Sequence, residues 1–120
     1  MESKKENILR DKSFAFAVRI INLYKYLAEQ KKEFILSKQL LRSGTSVGAN
    51  VREANSAESK ADFIHKLSIS QKEIDETLYW LELLKETSYL TELEFFSIYS
   101  EAEEIIKLLK RSILTAKSRK

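Results

Sequence analysis

The 120-residue sequence contains no cysteine, which excludes disulfides, thiolate metal sites and cysteine nucleophiles. Proline is also absent, and glycine occurs only as Gly44 and Gly48. With so few breakers, a chain rich in Leu, Ile, Lys, Glu and Ala reads as long helices joined by short turns. Histidine occurs once, as His65. No apolar run approaches the roughly 18 residues that a membrane span needs. The opening Met1-Glu2-Ser3-Lys4-Lys5-Glu6 lacks the apolar stretch of a signal peptide. The expectation is a cytoplasmic protein with no membrane partner.

Hydrophobic residues make up 43% of the chain and charged residues 32%, the balance of a soluble globular domain. One domain over residues 1–120 is expected, with an N-terminal extension over roughly the first ten residues and a basic tail over 117–120. The pattern predicts four helices. The first runs from about Asp11 or Ser13 to Lys31, with an earlier start as the alternative, and Gln30-Lys31-Lys32-Glu33 makes the first turn. The second runs from Leu36 to Ala57. The third runs from Lys60 to Thr87, capped by Ser59, and the fourth follows a Thr91 cap to Ala116. Apolar stripes at a period of 3.6 include Leu40, Val47 and Val51, then Leu67, Ile74 and Leu81, then Ile98, Ala102 and Leu109. The fold class is therefore all-α, an antiparallel up-down-up-down four-helix bundle.

The first helix is apolar on two sides. Phe14, Ala17, Val18, Ile21 and Ala28 share one face, and Phe16, Ile20, Leu23 and Leu27 fall almost opposite. A bundle covers only one of these faces, so the second is expected to form a subunit interface. Phe16, Ile20, Leu23 and Leu27 are taken as that oligomer interface. Gly44 and Gly48 lie on one side of the second helix, where they permit close approach by a neighbouring backbone; a kink near Gly44 is the rival reading.

Candidate chemistry is sparse. A di-iron bundle site needs paired Glu-x-x-His motifs, and His65 has no second histidine to pair with. No metal or cofactor is expected. The clusters Glu73-Asp75-Glu76 and Glu101-Glu103-Glu104 suit solvated faces matched to Lys better than acid–base chemistry. A helical-bundle RNase would carry an Arg a few residues before its histidine, and here Lys60 stands five before His65. The chain is not expected to be an enzyme. Ser43, Ser46, Asn50 and Glu53 recur at three and four residues beside the apolar stripe of the second helix, and Ser46, Asn50 and Glu53 are taken as a structural polar motif expected to fix register or a subunit contact.

Net charge is only +3, but its distribution is uneven. Residues 58–90 hold four Lys against seven acids, whereas Lys107, Lys110, Arg111, Lys117, Arg119 and Lys120 stand with no acid among them. That tail is either a solvated helix end whose cations suit the helix dipole, or a surface for RNA or DNA.

The stretch Gln39-Leu40-Leu41-Arg42-Ser43-Gly44-Thr45-Ser46-Val47-Gly48-Ala49-Asn50-Val51-Arg52-Glu53-Ala54 resembles the four-helix-bundle proteins encoded by intervening sequences in bacterial 23S ribosomal RNA genes. Ala17-Val18-Arg19-Ile20-Ile21, Asp62-Phe63-Ile64-His65-Lys66-Leu67 and Glu76-Thr77-Leu78-Tyr79-Trp80-Leu81 extend the resemblance in order. It implies a ring of five subunits, and kinship with the basic accessory protein of diversity-generating retroelements, which associates with a reverse transcriptase and nucleic acid. It brings no catalytic residues. The functional expectation is a non-enzymatic, self-assembling bundle that binds or scaffolds RNA or an RNA-handling protein. The alternative is a purely structural interaction module.

Overall fold

The computed structural model describes residues 4–119, with side chains from residue 8 onward. It contains α1 (Lys4–Glu29), α2 (Leu36–Asn55), α3 (Lys60–Glu86) and α4 (Glu92–Ser118). No strand occurs among the described residues. Each helix packs on its chain neighbours, and α1 also packs on α4, which closes the bundle. The α2–α3 seam is the most extensive and the α1–α4 seam the least. The body is 50 × 21 × 19 Å.

Local chemistry accounts for the boundaries. Ser59 accepts from the Asp62 amide at 3.0 Å, and Thr91 forms a capping box with Glu94. At the end of α3, Ser88 takes a left-handed conformation while Tyr89 N–H bonds to Leu84 C=O and Ser88 N–H to Lys85 C=O. These are the two bonds of a Schellman motif, with serine where glycine is usual. The start of α2 is capped from outside the helix. Glu33 is 7% exposed, and its carboxylate accepts from the amides of Ile35, Leu36 and Ser37 at 3.1, 2.9 and 2.7 Å. A residue expected only to fill a turn thus satisfies three of the orphan donors at that helix end. Burial opposes ionisation of this carboxyl, but the amide bonds prevail and hold its pKa below the usual carboxylate value.

The helix α1 begins well before the expected Asp11 or Ser13, and Leu9 is part of the core. The residues just before Asp11 are therefore helix, not an extension; residues 1–3 lie outside the described residues. The two faces of α1 are also the reverse of the expectation. Phe16, Ile20 and Leu27 are buried in the chain's own core and Leu23 packs against it, so none of the four forms an outer interface. Phe14, Val18 and Ile21 are the exposed row.

The reason for this rotation lies in α2. A Cβ on Gly44 would stand 2.8 Å from both Cγ atoms of Ile20, and one on Gly48 would stand 3.1 Å from the Ser13 carbonyl oxygen. The glycines therefore admit α1 face-on through Ile20 and the Ser13 backbone. The helix runs through them without interruption, so α2 is not broken at Gly44. Thr45 and Ser46 hydroxyls donate back to the Leu41 and Arg42 carbonyls, each at 2.7 Å, which keeps these weak helix formers satisfied within the helix.

Both the glycine seam and the Glu33 cap are open to direct measurement. Gly44→Ala gains helix propensity but forces the stiff β-branched Ile20 aside, for a net loss of about 1–2 kcal/mol. In an Ile20→Ala background the same change should cost nothing. Equal losses in both backgrounds, measured by urea denaturation, would show that Ile20 is not the obstacle. For Glu33, a depressed folded pKa means the contribution is fully present above the unfolded carboxyl's pKa. It is lost as pH falls through the folded value. Glu33→Gln should cost about 1–2 kcal/mol at neutral pH, with the gap to wild type closing in acid. A gap that is constant with pH in thermal melts would rule out the charged cap.

Candidate nucleic-acid interface

Most charged side chains expected to be solvated are instead engaged along the seams. Arg42 on α2 reaches Glu73 at 3.1 Å and Glu76 at 2.5 Å on α3. The Arg42 bond, seconded by Trp80, holds the Glu76 carboxyl below its ordinary pKa against a smaller opposing effect of burial. Lys66 bonds Glu53 at 2.8 Å, and that bond raises the lysine's pKa. Across the α1–α4 seam, Arg19 bonds Glu101 at 2.6 Å and Ser97 Oγ at 2.7 Å, and Lys12 bonds Glu104 at 2.8 Å. These two pairs flank a groove of about 400 Å³ with Ala15 and Ile105 on its floor. Glu73, Glu76, Glu101 and Glu104 are therefore partners of structural cations. Lys85 lies over the Phe95 ring at 4.5 Å and pairs with Glu86 at 3.6 Å, not with Glu82.

The polar motif of α2 divides. Ser46 donates within its own helix, and Asn50, half-buried, donates to the Ser46 carbonyl at 2.9 Å. Of these three only Glu53 reaches another helix, and it is exposed. Ser43, four residues before Val47, makes one buried cross-link, and the other lies outside the motif. Ser43 and Thr77 share a hydrogen bond at 2.9 Å, and Ser70 donates to the Val47 carbonyl at 2.8 Å. All three hydroxyl residues are fully buried. Ser70 and Thr77 lie three residues beyond Leu67 and Ile74, so their spacing on the apolar stripe was the available signal.

The end of α4 differs in kind from the seams. Lys107, Lys110, Arg111 and Lys117 are exposed on the helix, and exposed Arg119 follows its last turn. No acid pairs with any of these five among the described residues. Lys120 lies outside the described residues. The core face of α4 is Phe95, Ile98, Ala102, Ile105, Leu109 and Ile113, which turns the cations toward solvent. Leu114, 68% exposed, sits among them, and no aromatic does.

His65 is exposed on α3. No group of three or more metal-ligating side chains gathers among the described residues, and no helix there is long and apolar enough to cross a membrane. The model of the 23S rRNA-intervening sequence protein family matches residues 5–111. The chain belongs to that family. A crystal structure of a protein with unknown function from the S23 ribosomal protein family of Bacteroides thetaiotaomicron is similar throughout. It shares 58% identity, with 91% of this chain and 97% of that one covered and a TM-score of 0.90. No curated protein sequence matches significantly. The order of motifs that suggested the family is thus matched by the family model itself, over nearly the whole bundle.

The buried Ser43–Thr77 contact gives a direct test of how α2 and α3 keep register. Thr77→Val leaves the buried Ser43 hydroxyl with only a 3.4 Å contact to the Leu40 carbonyl and should cost about 1–3 kcal/mol. Adding Ser43→Ala removes that hydroxyl and should cost less than the two single losses combined. Strict additivity in urea denaturation would show that the two hydroxyls are not coupled.

Proposed function

We propose that this family member is a non-enzymatic bundle that assembles with copies of itself into a ring of five and holds RNA on the basic ends of its α4 helices. The observation that carries the reading is the contrast in cation use. Arg19, Arg42, Lys12 and Lys66 are engaged by acids along the seams, whereas Lys107, Lys110, Arg111, Lys117 and Arg119 are exposed and form no ion pair among the described residues; Lys107 alone feels an acid, Glu104, which Lys12 already holds. Cations without an internal partner are what phosphates recruit, with counterion release supplying the affinity. The family description, which names an intervening sequence of ribosomal RNA, supports RNA over other polyanions. So does the resemblance to the retroelement accessory protein.

Assembly is supported by the apolar row on the outer face of α1. Phe14, Val18 and Ile21 are 55, 43 and 37% exposed and lie side by side on that helix. One basic end binds few phosphates, but cyclic symmetry places every copy's α4 end on the same side of the ring, where weak contacts reinforce one another. The non-enzymatic reading is supported by the fate of the carboxylates, which are engaged by structural cations, and by a lone, exposed histidine. A protein partner has an observation of its own: Phe34, Ile35, Leu93 and Phe96 are exposed at the opposite end of the bundle.

The decisive measurement is a titration of short RNA at low and moderate salt, beside the native mass of the particle. Replacing Lys107, Lys110 and Arg111 with Gln should weaken binding by about tenfold or more and flatten its salt dependence. The fold should survive, because all three side chains are exposed. Val18→Glu with Ile21→Glu should shrink the particle. Absence of RNA binding at low salt would end the RNA reading, and a wild-type particle of monomer mass would end the ring.

A further inference from the structure

Two depressions meet on the α1–α2 seam near the end where α1 begins, α2 finishes and α4 runs out. One, of about 490 Å³, is lined by Arg10, Asp11, Arg52, Asn55 and Ser56. The other, of about 200 Å³, shares Arg10 and Arg52 and is floored by Phe14, Gly48 and Ala49. The two arginines therefore stand at the junction. Arg52 belongs to the α2 stretch that carries the family resemblance, yet its side chain makes no ion pair or hydrogen bond among the described residues. Its neighbour Glu53 is committed to Lys66, and no acid pairs with Arg52 among the described residues. Instead its guanidinium lies over the Phe14 ring, 5.3 Å from the centroid.

We infer that this junction is a seat for a phosphate group, resting on the RNA reading above for its natural source in a nucleic-acid backbone. Four features converge. A guanidinium stacked on a ring is held in one orientation while its N–H edge stays free to donate in pairs, the geometry that matches a phosphate. Arg10 lines both depressions as a second cation, and its 3.4 Å contact with Asp11 is one of the interactions that hold it. Asn55 contributes a buried side-chain amide nitrogen that has no partner, and buried donors are almost always satisfied in native structures. Two of the carbonyls at the end of α2, those of Glu53 and Ala54, already accept from Ser56 N–H and Ala57 N–H. Apart from Asp11, every polar side chain of the wall can donate a hydrogen bond.

The up-down order of the helices puts this seat at the same end of the bundle as Lys117 and Arg119. A strand crossing that end would meet the α4 cations on one side and Arg52 on the other. The seat differs from the α4 surface in being a fixed, forked donor site, so it should distinguish arginine from lysine where the α4 surface does not.

The test uses the full chain in two arms. Labelled single-stranded RNA is titrated by fluorescence anisotropy at two salt concentrations, with wild type, Arg52→Gln, Arg52→Lys and the α4 triple variant. Inorganic phosphate is titrated against the arginine Nε–H resonances. Arg52→Gln should weaken RNA binding about tenfold and reduce the salt slope by about 0.7 for each phosphate it no longer neutralises. Arg52→Lys should recover the slope but not the affinity. An unchanged particle mass in both variants separates loss of the seat from loss of assembly. If phosphate moves the Arg52 resonance while RNA affinity ignores Arg52, the seat stands and its source is a free phosphate. If wild type binds no RNA yet phosphate moves that resonance, the RNA reading falls and the seat stands. If neither RNA affinity nor the resonance responds at Arg52, while the α4 variant still loses RNA, the seat is overturned and the RNA reading survives.

Discussion

The close approach of α1 to α2 at two glycines governs the rest of the molecule. With no Cβ on Gly44 or Gly48, Ile20 and the Ser13 backbone sink into α2, and this fixes the rotation of α1 about its axis. Once Ile20 points inward, Phe16 and Leu27 must follow it into the core, and Phe14, Val18 and Ile21 must face out. The same rotation turns Arg19 and Lys12 toward α4, where Glu101 and Glu104 receive them. It also brings Phe14 under Arg52. The apolar row of α1, the ion pairs of the α1–α4 seam and the Arg52–Phe14 contact are consequences of that one steric permission.

The opposite seam of α2 works by different means. Small hydroxyl residues Ser43, Ser70 and Thr77 occupy core positions between larger apolar side chains and hydrogen-bond across the interface. Buried hydroxyls demand partners, so only one register of α3 on α2 leaves none stranded. Outside them, Arg42 with Glu73 and Glu76 at one level and Lys66 with Glu53 at another repeat the constraint at the surface. Exposed ion pairs add little stability, but they agree with the buried bonds about alignment.

Helix number, order and approximate limits were legible from periodicity and from the absence of breakers, because those signals are local. The Ser59 and Thr91 caps were legible for the same reason. The inward face of α1 was not, since both of its stripes are apolar and period alone cannot rank them. What decides between them is the space above Gly44, a property of another helix, and a glycine pair read as a seam does not say which α1 residue enters it. Glu33 escaped because it caps from beyond the helix start, across a turn whose path includes a left-handed Lys32. The α4 cations could be named from sequence, but that Glu104 is held by Lys12 and not by Lys107 depends on the packing of α1 against α4.

The thinness of the α1–α4 seam has a consequence for how the bundle opens. Three seams join the helices in chain order through packed apolar surface, and the fourth closes the cylinder with the least packing and two ion-paired bridges. Cooperative units separate where the least apolar area is given up, so the earliest excursion is a parting of α1 from α4 with α2 and α3 still joined. The molecule then behaves as a folded screen of four panels with a weak last edge. That edge is fastened by charges, and ionic strength therefore sets how readily it lets go.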